Sequence, residues 1–163
     1  MLNMQENGMQ EKHLRLFYLY YGGIIMGWFD ISPSNSKCRE FEGFWTIADV
    51  QNNPNDIFVF GDNEARYGPG GQAVIRNEPN THGIAVKKAP SWDPSAFWYD
   101  DDYNRTTGII DTDIASLQEK HSGKPWVFSA GGMGTGMGKP KHGTNERTMA
   151  YLRDEIRKVC GEI

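Results

Sequence analysis

Two glycine-rich segments, residues 61–71 and 131–138, each follow a short apolar run, and this pairing constrains the fold more than any other feature of the chain. The first run is Ile57-Phe58-Val59-Phe60, bounded by Asn55-Asp56 and Gly61-Asp62. The second is Trp126-Val127-Phe128-Ser129-Ala130, which leads directly into the second glycine segment. Continuous apolar runs of this length suit strands covered on both faces, as in a parallel or mixed sheet flanked by helices. Glycine lets backbone N–H groups approach a ligand closely. Ligands of α/β sheets bind outside the carboxyl ends of the strands, where both segments would lie. Together they are expected to hold the phosphates of a nucleotide-like ligand.

The remaining pattern agrees with an α/β layered domain. Gly83-Ile84-Ala85-Val86-Lys87 is a further strand candidate. Thr46-Ile47-Ala48-Asp49-Val50 reads as a short helix capped by Thr46 and stopped before Pro54. Gln72 to Asn77 can form a short helix after the first glycines. Asp111 is placed to cap a helix with Ile110, Ile114 and Leu117 on one face. Met149, Leu152, Ile156 and Val159 recur at steps of three and four, the clearest helical signal in the chain. Trp28-Phe29-Asp30-Ile31 and Phe41-Glu42-Gly43-Phe44-Trp45 bracket a polar stretch and form either a hairpin or an aromatic-rich loop.

The first 25 residues differ in character from the rest of the chain. A polar stretch precedes a short aromatic patch, which carries Arg15 and lacks a small-residue cleavage site, so it does not read as a signal peptide. Gly22-Gly23 stands shortly before Met26, as a translated ribosome-binding site would, and residues 1–25 are expected to be a non-native or disordered extension. Residues 26–163 then form one domain, long enough to bury a sound core. No apolar run of about 18 residues predicts a membrane span. The formal net charge of -4 argues against broad contact with a nucleic-acid duplex, which needs a basic face. A small phosphorylated ligand needs only a few donors. Cys38 and Cys160 lack metal-ligand spacing and are expected to be free thiols in a reducing cytosol, making the protein cytoplasmic.

In the first segment, Gly68, Gly70 and Gly71 precede Gln72 and a helix start, so free N–H groups and a helix dipole favour an anion. This is neither a Walker A loop nor a GxGxxG fingerprint, and a tight connection would also account for it. The second segment has five glycines in eight positions: Gly131, Gly132, Gly134, Gly136 and Gly138. Its N–H groups could form an anion-binding nest, with a hydroxyl from Thr135 and charge from Lys139 or Lys141. The alternative is a flexible surface loop.

Gly61-Asp62-Asn63, the Gly70-Gly71-Gln72-Ala73 helix start, residues 80–91 and Gly134-Thr135-Gly136-Met137-Gly138 resemble an uncharacterised, largely phage and bacterial family related to macro domains. The likeness covers roughly residues 44–156. It implies a three-layer macro-like domain, with a mixed central sheet flanked by helices, that binds ADP-ribose or a related nucleotide. By that likeness Asn63 faces the distal ribose, Gly70-Gly71 lie in the first phosphate loop and residues 132–136 in the second. Where ordinary macro domains end the strand Val-Asn-Ala-Ala-Asn, this chain has Val-Phe-Gly-Asp-Asn.

Asp62 is a candidate general base acting with Asn63 to orient a water, or a carboxylate capping its own turn. His142 is a candidate phosphate contact or acid, or a solvated loop histidine. Lys87 lies near a strand end, within reach of phosphate or on an exposed edge. Asp100-Asp101-Asp102 could bind a divalent cation but reads better as a solvated turn, and no metal or other cofactor is called for. Trp92, Phe97, Trp98 and Tyr99 form a flap over a base or pack beneath a long connection. Three functions compete: hydrolysis of an ADP-ribose derivative, sequestration of a nucleotide signal without turnover, and a protein-interaction surface.

Overall fold

The computed structural model describes residues 37–161. The N-terminal extension, the start at Met26 and the pairing of Trp28–Ile31 lie outside the described residues. Among those described, four strands alternate with helices: β1 (Cys38–Phe41), α1 (Ile47–Gln51), β2 (Ile57–Asp62), β3 (Thr81–Ala85), α2 (Tyr103–Lys120), β4 (Trp126–Ser129) and α3 (Glu146–Cys160). The sheet order is β1-β4-β2-β3 and every pairing is parallel, in place of the mixed sheet that the family resemblance implies.

Period-two alternation divides each apolar run between the two faces of the sheet. Ile57 and Val59 of β2 join Trp126 and Phe128 of β4 in a core with Ile110, Ile114 and Leu117 of α2 and Met149 and Leu152 of α3. Phe58, Phe60 and Val127 point the other way, against Trp45, Val50, Ala73 and Ile75. Burial on both faces is why these strands read as unbroken apolar runs. The connections from β1 to β2 and from β2 to β3 cross the sheet in one direction, against the second core. The return from β3 to β4 carries α2 over the first, as crossovers of a single hand require.

The short helix α1 begins as its sequence suggests. The Thr46 hydroxyl accepts from the Asp49 N–H at 3.3 Å, and the Asp49 carboxylate accepts from the Thr46 N–H at 2.6 Å, a reciprocal capping box. Helix α2 departs from expectation. It starts at Tyr103, well before Asp111, because residues Asp100–Asp102 already wind into a 3-10 turn that feeds it. Asp111 sits inside the helix and accepts a hydrogen bond from the Tyr151 hydroxyl at 2.7 Å. The acidic triplet also has structural work: Asp100 accepts from the N–H groups of Arg147 and Thr148 at the start of α3, and Asp102 pairs with Arg105.

The free-thiol expectation is overturned. Cys38 opens β1 and Cys160 closes α3, and the two are joined by a disulfide with their Cα atoms 5.4 Å apart. Packing of α3 along the first core carries its last residue to the first residue of β1, a proximity that 122 positions of separation conceal. Disulfides persist in oxidising surroundings, so a reducing compartment no longer follows from the cysteines. No described helix is long and apolar enough to cross a membrane.

Candidate functional site

β2 and β4 are parallel neighbours, in register from Ile57 opposite Trp126 to Val59 opposite Phe128, so the loops that follow them leave the same end of the sheet. They enclose a cleft of about 340 Å³. Gly61, Asp62, Asn63, Gly68, Gly70, Gly71 and Gln72 line it from the first side, and Gly131, Gly132, Gly134, Thr135 and Gly136 from the second, with Lys87 between. Three candidate phosphate contacts stand outside. His142, Lys139 and Lys141 are exposed and do not line the cleft. A larger hollow of about 520 Å³ beside α3 has mainly apolar walls, including Phe128, Met133, Leu152 and Ile156, and excludes the first loop.

Several lining residues hold the loops in place. Gln72, a candidate ligand contact by sequence, has both ends of its amide committed: Oε1 accepts from the Gly61 N–H at 2.9 Å and Nε2 donates to the Gly132 carbonyl at 3.0 Å. It is a strut between the loops. The Trp45 indole N–H fixes the strut's backbone by donating to the Gln72 carbonyl at 3.0 Å. Met137 adds apolar contact, because a Cβ at Gly70 would come within 2.9 Å of its methyl group.

Asp62 is likewise committed. Its oxygens accept from Arg76 at 2.8 and 2.5 Å, and Oδ1 also accepts from the Asn63 N–H at 2.6 Å. A carboxylate so saturated and buried positions its surroundings; it is not a free general base. Arg76 carries the effect onward, donating through Nε to the Gly68 carbonyl at 3.1 Å. Behind this pair, Arg66 bridges to Asp113 at 2.6 Å, and Asp113 accepts from the Ala85 N–H at 2.8 Å. Gly83 of β3 admits the assembly, since a Cβ there would lie 2.5 Å from Asp62 Oδ2. Sequence reading missed Arg66, Arg76, Gly83 and Asp113. The available signal was Asp62 itself: a carboxylate ending a buried strand needs a cationic partner.

What remains uncommitted suits an anion. Between Met133 and Gly138 no backbone N–H has a hydrogen-bond acceptor among the described residues, and in the segment only Gly132 donates, to Ser129. Lys87 is 6% exposed. Its ammonium donates to the carbonyls of Ser91 at 2.9 Å and Met137 at 3.0 Å and lies 4.0 Å from the Phe97 ring centroid, with no carboxylate in salt-bridge range among the described residues. Burial pushes its pKa below the ordinary lysine range. Lys88, its neighbour, pairs with Asp102 at 3.5 Å. Asn63 donates to the Tyr67 carbonyl at 2.8 Å, while its Oδ1 is the one buried side-chain polar atom left without a partner among the described residues. The Thr135 hydroxyl donates back to the Gly131 carbonyl at 2.8 Å, so it can serve a ligand only as an acceptor. The 3-10 helix after the first loop spans just Gly71–Ile75, too short for the dipole expected from sequence. Phe97 and Trp98 pack in the interior, which removes them from any flap.

The glycines of the second loop differ in what they tolerate. Gly134 has φ +74°, and a Cβ there would lie 2.3 Å from Met149 Sδ, so a side chain strikes the core. At Gly136 a Cβ meets nothing within 4 Å. Gly136→Val is therefore expected to keep the melting temperature within about 2 °C of the parent while weakening ligand binding about tenfold or more. Gly134→Val is expected to lower the melting temperature markedly. Thermal denaturation beside calorimetry checks both, and unchanged affinity in Gly136→Val removes the second loop from the site.

Fold and cleft define an α/β domain with a glycine-lined cleft at the carboxyl ends of two adjacent parallel strands. The chain belongs to a family of unknown function (DUF7831), matched over residues 40–155, a span that takes in both glycine loops and Lys87. Neither the curated proteins nor the solved structures gave a match.

Proposed function

We propose that the cleft binds ADP-ribose or a closely related nucleotide, with the phosphates on the second glycine loop and Lys87, in a macro-like domain layered as helices, sheet and helices. One observation carries this reading: a buried lysine without a carboxylate partner among the described residues stands beside a run of backbone N–H groups likewise unpartnered among them. An ammonium removed from water is costly unless an opposite charge or good hydrogen bonds compensate it. Two carbonyls and an aromatic face do part of this, and a phosphate would complete it. A ribose hydroxyl donating to Asn63 Oδ1 would satisfy the orphan acceptor. The cleft volume falls within the range of small-ligand sites, toward its lower end.

Binding without turnover is favoured over hydrolysis by the state of Asp62. Its carboxylate is the only one lining the cleft among the described residues, and both oxygens are bonded to Arg76. Sequestration of a nucleotide signal, as a phage protein could use against a host defence, is the form of the function we infer. Calorimetry against ADP-ribose, its phosphorylated and cyclic derivatives, NAD and ATP, followed by chromatography of each mixture, tests it. Recovery of intact ligand supports sequestration, product formation supports the hydrolase, and millimolar or weaker binding throughout overturns the ligand class.

Lys87→Met is expected to weaken binding about a hundredfold, the worth of a charge-assisted hydrogen bond in a buried site. The anion pairs with the protonated amine. Affinity is therefore full below the free-state pKa of Lys87 and falls as pH rises through it. Because that pKa is depressed, the fall begins at lower pH than an ordinary lysine would give. The methionine variant should lose this part of the pH profile; a profile that survives the substitution places the titrating group elsewhere.

A further inference from the structure

We propose that Phe44 is the stacking platform of the cleft, so that its ligand carries an aromatic base which lies on the Phe44 ring; this rests on the phosphate reading of the same cleft. Phe44 lines the cleft yet is 97% exposed, the most exposed large apolar side chain among the described residues. Its chain neighbour Trp45 behaves oppositely. Trp45 is buried, with its ring 6.0 Å from Phe41 and 5.8 Å from Phe58, and its indole nitrogen tied to the Gln72 carbonyl. The capping box of α1 begins at the next residue, Thr46. Phe44 thus stands on a backbone fixed immediately after it, while its ring is left to solvent.

A single exposed apolar side chain is ordinary on a protein surface. Phe44 is not single, since Met137, 41% exposed, and the exposed Pro90 line the same cleft. The cleft therefore has a polar region, formed by Lys87 and the free amides of the second loop, and an apolar region that includes a fully presented aromatic ring. That division matches the two chemistries of a nucleotide. A base stacks on an aromatic face whatever its hydrogen-bonding edge, so the platform selects for a base without choosing which one.

The test pairs ligands with and without a base. Calorimetry of the full chain and of Phe44→Ala and Phe44→Trp variants is run against ADP-ribose and against ribose 5-phosphate. Phe44→Ala is expected to weaken ADP-ribose binding about tenfold, the lower part of the range for one stacked base. Ribose 5-phosphate should bind all three chains alike, and Phe44→Trp should restore ADP-ribose affinity. Since the ring touches solvent almost entirely, the alanine variant should melt with the parent. Equal affinity of parent and Phe44→Ala for ADP-ribose overturns the platform while leaving the phosphate site standing. Parent protein that prefers ribose 5-phosphate to ADP-ribose does the same. Failure of both ligands to bind the parent overturns the phosphate reading and the platform with it.

Discussion

Arg76→Met should destabilise the protein by about 3 kcal/mol and abolish the proposed nucleotide binding. Asp62 and Arg76 form a two-point pair at 2.8 and 2.5 Å, with side chains only 4% and 16% exposed. Removing one partner of a buried pair costs about 3–5 kcal/mol because the other charge is stranded. Arg66, 3.5 Å from Asp62, takes up part of that charge, which sets the expectation at the lower end. For a chain of this size the loss corresponds to a fall of roughly 6–12 °C in melting temperature. Binding fails for a separate reason, since Arg76 also holds the Gly68 and Tyr67 carbonyls of the first loop. The double variant Asp62→Leu with Arg76→Met separates the two effects. An apolar pair of similar volume is often as stable as a buried ion pair. The double variant should therefore recover much of the stability but none of the affinity. Recovery of affinity as well would mean that the loop does not depend on Arg76.

Reduction of the Cys38–Cys160 bond is the second large effect. The bond closes a separation of 122 residues, and a loop that long loses about 4–5 kcal/mol of unfolded-state freedom when cross-linked. Adding a reductant, or substituting Cys160→Ser, is expected to lower the melting temperature by about 10 °C. The cleft should survive below the new transition, because none of its lining residues belongs to β1 or to the end of α3. Mass spectrometry of alkylated protein with and without reductant establishes the bond directly. A full complement of alkylated thiols in the untreated protein would remove it, and with it this prediction.

The two stability effects act on different parts of the molecule. The disulfide staples the edge strand to the last helix, around the first core. The Asp62–Arg76 pair sits at the cleft, where a central strand ends. They share no partner, so their costs should add.

How much of the fold is legible in the sequence varies with the range of the interaction involved. β2 and β4 read as strands because burial on both faces leaves an unbroken apolar run. The start of α1 is readable because Thr46 and Asp49 are three positions apart. α3 is readable from its own periodicity. The start of α2 is not, since it depends on Asp100–Asp102 winding ahead of it and on Asp100 turning aside to cap α3, a contact 47 positions away. β3 begins and ends ahead of the Gly83–Lys87 run that suggests it, because its pairing with β2 fixes its ends and its own composition does not.

The glycine segments themselves were determined by the sequence, since so dense a run after an apolar strand leaves little but exposed backbone. Their meeting was decided by the tertiary structure. Only the adjacency of β2 and β4 in the sheet, strands separated in the chain by β3 and α2, brings the two loops to one cleft. The same holds for the roles inside it. By sequence Asp62 and Gln72 look free to act on a ligand, but Arg76 claims the one and Gly61 with Gly132 the other. Lys87 looks like one of two equivalent lysines until Asp102 pairs with its neighbour, leaving Lys87 without a counter-ion among the described residues. A residue's chemistry is written in its side chain; whether that chemistry is already spent depends on partners that only the folded chain supplies.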